Sequence, residues 1–219
     1  VTGNQKTGLD RLVMHMAASA GMPTLFNPYA DTDPAVDVPD AASIRCRNLR
    51  RYLHAFAGRD GIDLWLGEAP SRFGARRTGV PFTGEGRLVD LSSRLAIAPF
   101  EIATTADASA APPSGTSRQI WDALPERLPL FWNAVMHHPH RTGIPVRNRT
   151  PSRSEITRSR DTLALLVEAI RPRRILAIGR VAEGASEGFG VPVTYVRHPA
   201  QGGAAKFQAG AAAFRSEGS

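Results

Sequence analysis

At 219 residues with a formal net charge of +7, the chain is long enough to bury a full core, and its charge favours a polyanionic partner, though charge alone also serves solubility and non-specific association. Lys6 and Lys206 are the only lysines, so nearly all the positive charge is arginine, the better bidentate phosphate donor. One cysteine, Cys46, excludes an intrachain disulfide and any thiolate-rich metal or iron–sulfur site, and no stretch approaches the ~18 apolar residues of a membrane span.

Residues 1–8 are polar and expected to fray. Leu9, Leu12, Val13 and Met16 recur at helical spacing and predict a helix over 9–20, closed by Gly21-Met22-Pro23. An acidic, proline-containing stretch, 31–40, reads as a linker. The next helix, 41–57, has Ile44, Leu49, Leu53 and Phe56 as apolar positions, and Arg45, Arg47, Arg50 and Arg51 read as a solvated face.

Alternation of strands and helices starts at 62–66, a buried strand followed by Gly67-Glu68-Ala69-Pro70-Ser71-Arg72-Phe73-Gly74, then Thr78-Gly79-Val80-Pro81-Phe82-Thr83-Gly84, then a helix over 86–95. A stretch rich in Ala, Ser, Thr and Pro, 104–117, is longer than compact domains usually tolerate unless it is mobile or functional. A short amphipathic segment at 119–124 precedes the second strand, 130–136, and a polar loop over 137–143 that holds three histidines. Ser152 with Glu155 three residues later forms a capping box and opens a helix through Leu163, Leu165, Leu166 and Ile170. A third strand, 174–179, leads to a helix over 181–187; a fourth, 191–196, ends at His198-Pro199-Ala200-Gln201-Gly202-Gly203, before a last helix over 204–214.

This pattern predicts a single α/β domain over 1–219: a helical N-terminal segment, 1–60, and an α/β core, 61–219, built as a three-layer α/β/α sandwich on a central four-stranded parallel sheet. Right-handed crossovers carry the four strand-end loops to one edge, where open parallel sheets place their sites. The loops after 66, 136 and 196 hold the polar residues of interest; the one after Gly179 reads as structural.

Glu68 at a strand end can position a water, contact a ligand N–H, or simply accept backbone N–H groups. Gly67, Gly74, Gly79 and Gly84 allow tight turns, but their spacing fits neither the Walker loop nor the dinucleotide fingerprint. Phe82, flanked by glycines, is either a core plug or a ring on which a planar base stacks. Asn133 interrupts an apolar strand, and a buried amide must find partners; near the strand end it can present a donor and an acceptor to a base edge. His137, His138 and His140 lack the spacing of a zinc site, so contact with DNA or solvent is the better expectation, and no metal is expected.

Taken in order, Gly67-Glu68-Ala69-Pro70, the Phe82 loop, Asn133, Asn148-Arg149-Thr150-Pro151 and His198-Pro199 resemble the uracil-DNA glycosylase superfamily, in the version found in its thermostable, iron–sulfur-containing branch. The resemblance implies that Phe82 stacks on a flipped-out uracil, that Asn133 pairs with its O4 and N3–H, and that His198 donates to O2 as the N-glycosidic bond breaks. It further implies that Gly67 and Ser71 line the base pocket and that Glu68 and the Ala69 backbone hold the attacking water. Arg72, Arg76, Arg77, Arg141, Arg147 and Arg149 would contact phosphates, Gln201 would enter the gap left by the base, and Gly202-Gly203 would face a phosphate from a helix start.

Three departures accompany the likeness. The single cysteine rules out that branch's four-cysteine cluster, so the N-terminal segment must be held by packing. Ala69 stands where the best-known branch has a water-activating aspartate, and Ser71 where it has a tyrosine that blocks thymine's methyl. The resemblance implies a monomeric glycosylase; the single cysteine and the histidine spacing lead to the expectation that it is metal- and cofactor-free, and the lack of a membrane-length apolar stretch to a cytoplasmic, nucleoid-associated location with no membrane partner. Its substrate is uracil-containing DNA, and its products are free uracil and an abasic site. A low-turnover protein that binds DNA damage or abasic sites on the same fold is the alternative, motivated by Ala69.

Overall fold

The helical spacing near the amino end extends further than the polar composition of 1–8 suggests: helix α1 runs Thr2–Ala17, with Leu9, Leu12, Val13 and Met16 all buried. A computed structural model describes residues 2–18, 20–105, 115–142 and 144–217 of the chain. After α1 come a two-residue strand β1 (Leu25–Phe26), helix α2 (Ala41–His54) and strand β2 (Asp63–Gly67). The motif loop then folds as a short helix α3 (Ala75–Thr78), followed by a 3-10 turn (Glu85–Arg87) continuous with α4 (Leu88–Leu95). Helix α5 (Gly115–Asp122) leads to β3 (Leu130–Asn133), then a hairpin of β4 (His138–Arg141) and β5 (Ile144–Asn148), and helix α6 (Arg153–Ile170). Strand β6 (Arg174–Ile178), helix α7 (Arg180–Ser186), strand β7 (Val193–Val196) and helix α8 (Ala204–Ser216) complete the order.

The central sheet is four-stranded and parallel throughout, in the order β3-β2-β6-β7. Leu64, Trp65, Leu66, Phe131, Trp132, Ile175, Leu176 and Ala177 are all buried, the near-continuous apolar runs that a sheet covered on both faces requires. One apolar cluster extends from Leu9 through this sheet to Phe214. The ladder aligns Gly67 with Asn133, so both sit at the same carboxyl edge.

A second, three-stranded antiparallel sheet, β1-β4-β5, was not legible in the sequence. The predicted second strand stops at Asn133, and the histidine-rich segment read as a polar loop is mostly strand: Phe26 pairs with His138 and Leu25 with Pro139. The pairing partner lies more than a hundred residues upstream, and no local pattern announces it. His138 and His140 are consequently buried and stacked on each other rather than turned to DNA or solvent.

The arginine face assigned to α2 also needs correction. Arg45 is 0 % exposed: its guanidinium pairs with Asp37 and donates to the carbonyls of Arg77 (3.1 Å), Pro28 (3.3 Å) and Asp31 (3.2 Å). The acidic stretch 31–40 is thus a set of counterions and backbone caps rather than a linker. Asp33 pairs with Arg76 at 2.6 Å, and Asp31 accepts the N–H groups of Gly21 and Asn27 at 3.0 and 2.7 Å. A charge so deeply buried survives only when paired and hydrogen-bonded. The capping box at Ser152 is present as read: Glu155 N–H donates to Ser152 Oγ, and Ser152 N–H donates to Glu155 Oε2.

Candidate active site

Because all four central strands point the same way, their carboxyl ends share one edge, and there a cleft of about 710 Å³ opens. Glu68 to Ser71 follow β2, Asn133 ends β3, Gly179 and Arg180 follow β6, and Tyr195, Arg197 and His198 come from the end of β7; all line the cleft together with Phe82, Thr116 and Ser117. Asn133, Phe82 and His198 therefore converge from three separate segments, as the sequence suggested. The loop after Gly179, read as structural, lines the cleft too.

Gly67 explains how the platform is built. A Cβ there would stand 2.3 Å from Phe82 Cζ and 3.0 Å from Asn133 Oδ1, so only glycine lets ring and amide close over the strand end. Behind it, Phe82 meets Phe131 edge-on at 5.6 Å. The loop carrying Phe82 is laced by Thr78, whose hydroxyl donates to Thr83 O at 2.8 Å and accepts the Val80 N–H at 3.1 Å. Gly79 sits at φ 76, pressed against the Arg45 backbone. Phe82 itself has φ 55, a left-handed conformation that costs an L-residue about 1–2 kcal/mol.

Glu68 is half-buried, and burial raises its carboxyl above the usual range, opposed in part by a hydrogen bond with Thr150. Its backbone is tied down: Ala134 N–H donates to Gly67 O and Val135 N–H to Glu68 O, at 2.8 and 3.0 Å. His138, from β4, donates through Nδ1 to Pro70 O at 2.8 Å, and Arg72 N–H donates to Asn148 Oδ1 at 3.1 Å. The small sheet thereby holds the Ala69-Pro70-Ser71 turn from behind.

His198 rests on Gly179, where a Cβ would come within 3.3 Å of the His198 Cβ. Ala200 N–H donates to Nδ1 at 3.2 Å, which assigns the neutral ring's proton to Nε2. Burial, aided by the nearby Arg197 cation, lowers its pKa below the ordinary 6.5, so the imidazole is neutral at pH 7. The turn that follows is tight: Gln201 lies at φ 51, exposed at the tip, and a Cβ on Gly203 would overlap His198 O.

The proposed phosphate contacts divide. Arg72, Arg141 and Arg147 are exposed, as are Gln201 and Gly202; Gly203 is buried beneath the turn. Arg76 and Arg77 belong to α3, not a loop, and are only 3 % and 7 % exposed. Arg76 pairs with Asp33 and covers the Phe26 ring, while Arg77 faces Glu85 and covers Phe73, so neither guanidinium presents itself to a phosphate. Arg149 lines the cleft, yet its guanidinium holds Glu155 at 2.6 Å and Thr24 O at 3.0 Å, and this pairing drives the Glu155 carboxyl down to about 2. Arg149→Ala is accordingly expected to lower unfolding free energy by about 2 kcal/mol, measured in denaturant. Arg147→Ala should leave stability within about 0.5 kcal/mol and reduce the salt slope of DNA binding by about one.

Sequence reading missed Arg180, Tyr195 and Arg197. Arg180 stacks on the Tyr195 ring at 4.1 Å and lines the cleft with Arg197. The adjacency of Arg197 to His198 was the available signal. Among the described residues no cluster of three potential metal-ligating side chains occurs.

The sequence model described as the uracil DNA glycosylase superfamily matches residues 64–215. The crystal structure of wild-type Pedobacter heparinus SMUG2 is similar in fold, with a TM-score of 0.59 and 13 % identity over 97 % of this chain and 96 % of that one. No protein in a comparison with curated proteins matches the chain.

Proposed function

Since this chain belongs to the uracil DNA glycosylase superfamily, a family of DNA glycosylases, we propose that it is a monofunctional glycosylase that removes uracil from DNA and leaves an abasic site. The observation that carries this reading is the triangle of Gly67, Phe82 and Asn133 at the carboxyl edge, with His198 lining the same cleft. A base inside a duplex is out of reach of such a site and must be turned out of the stack first. Phe82 then stacks on it, the Asn133 amide accepts from N3–H and donates to O4, and His198 Nε2–H faces O2.

As the N-glycosidic bond lengthens, electron density moves onto the base and collects at O2, and a preoriented donor stabilises that charge more than it stabilises the bound ground state. A neutral imidazole serves as this donor. Protonating it would place a second N–H against the Ala200 N–H. The Glu68 carboxylate, with the Ala69 backbone, orients the water that attacks the sugar carbon on the departing base's opposite side. Excision from a uracil-containing oligonucleotide, read as strand breakage after alkali, is the direct test; intact single- and double-stranded substrates would sink the reading. Multiple turnover with excess substrate separates it from the abasic-site binder that Ala69 motivates, which would give one slow round.

The pH profile follows from the same groups. Glu68 acts ionised and its pKa is raised, so kcat falls as pH drops through a value above the ordinary 4.5. His198 acts neutral and its pKa is lowered, so its own limb lies below 6.5. Glu68→Gln is expected to lower kcat and remove the first limb while keeping the second. An unchanged acid limb in that variant would assign water orientation to another group.

A further inference from the structure

The Phe82 ring owes its position to an element that none of the strand-end motifs includes. Two donors from α5 converge on one acceptor: Ser117 Oγ donates to Phe82 O at 2.9 Å and Trp121 Nε1 donates to the same oxygen at 3.1 Å. They stand four residues apart on one face of the helix, both buried. The residue they grip is the one non-glycine in the motif loop with positive φ, and such a conformation persists only where its surroundings over-determine it.

We infer that Ser117 and Trp121 are positioning residues: by donating to the Phe82 carbonyl they hold its backbone left-handed and so set the ring in the plane on which a captured base stacks. This rests on the glycosylase reading of the cleft. Helix α5 is itself anchored: Trp121 packs on Phe131 at 6.3 Å, Arg87 covers the Trp121 ring at 5.2 Å, and Gln208 of α8 donates to Gln119 O at 2.8 Å. On the other side the ring closes on Gly67 too tightly to admit a Cβ. Rotation of φ toward its ordinary negative range would swing the ring off this seat, away from the edge where Asn133 and His198 wait. Were Ser117 and Trp121 only core residues, their loss would reduce the folded fraction and leave turnover of the folded enzyme unchanged.

The test uses Ser117→Ala combined with Trp121→Phe, which removes both donors and keeps the aromatic packing. On a uracil-containing oligonucleotide, kcat is expected to fall about 10- to 100-fold with KM within about twofold, and Ser117→Thr, which retains the hydroxyl, to stay within about threefold of the parent. In a Phe82→Ala background the same pair should add no further loss, the signature of action through one residue. An unchanged kcat in the paired variant, or a full additional loss without Phe82, overturns the inference. Independently of substrate, the ¹³Cα and ¹³Cβ shifts of labelled Phe82 report its backbone conformation. A move out of the left-handed range in the paired variant supports the inference, and unmoved shifts overturn it. Failure of the parent protein to excise uracil would count against the glycosylase reading alone.

Discussion

Asn133→Ala is expected to lower kcat for uracil excision by about 10²- to 10³-fold while the Kd for uracil-free DNA stays within about threefold. Asn133 is 2 % exposed and paired in register with Gly67, against which both its Oδ1 and the Phe82 ring close too tightly for a Cβ. In the proposed function its amide would meet the base only after the nucleotide has left the helix, whereas duplex affinity would come mainly from phosphate contacts on exposed arginines. The two assays should therefore separate. A base held by stacking alone keeps its apolar contact but loses the pair of hydrogen bonds that fix its rotation, and near-attack geometry goes with them. Asn133→Asp should fare no better with uracil, because a carboxylate repels O4. Equal losses in excision and in binding to uracil-free DNA would remove Asn133 as the base reader.

His198→Ala should cost about 10²- to 10³-fold in kcat, again with little change in duplex affinity, because in the proposed mechanism the Nε2–H donates to charge that exists only as the bond breaks. The accompanying signature is in the pH profile. In the parent protein the limb below 6.5 reports protonation of an imidazole whose Nδ1 accepts the Ala200 N–H. In the variant that limb should vanish, leaving the limb due to Glu68. Retention of both limbs, or a loss of affinity as large as the loss of kcat, would place the donor to O2 elsewhere.

These two variants and the phosphate-contact variants probe different layers of one edge. Arg141 and Arg147 are exposed and, on the proposed function, would meet phosphates; Arg149, despite lining the cleft, works inward on Glu155 at the start of α6. The distinction matters for reading any arginine scan of this protein. Arg45, Arg76, Arg77 and Arg149 would all reduce DNA binding if replaced, but through loss of folded protein, with melting curves displaced in parallel.

Much of the core was legible because its signals are local. Runs such as Leu64-Trp65-Leu66 and Ile175-Leu176-Ala177-Ile178 declare buried strands, the Ser152–Glu155 box declares a helix start, and parallel strands joined by helices place their carboxyl ends together by chirality alone. Glu68, Asn133 and His198 could be named from the sequence because each stands at the end of such a run. Phe82 could be named because glycines and prolines free it from any periodic face.

What stayed hidden is what depends on partners distant in sequence. The sequence by itself determined the order of the core strands and helices, the parallel sheet and the edge to which the strand-end loops are carried. Only the tertiary structure decided which arginines face solvent, since Arg45 and Arg76 are neutralised by Asp37 and Asp33 from a stretch that reads as a linker. It alone placed two of the three loop histidines, His138 and His140, in a strand from which His138 donates to Pro70, and it alone gave Phe82 its two donors from α5, 35 and 39 residues away. The reason is physical. Backbone propensity and turn chemistry are settled within a few residues, whereas the fate of a buried charge or a strained backbone is settled by whichever groups the folded chain brings within hydrogen-bonding distance.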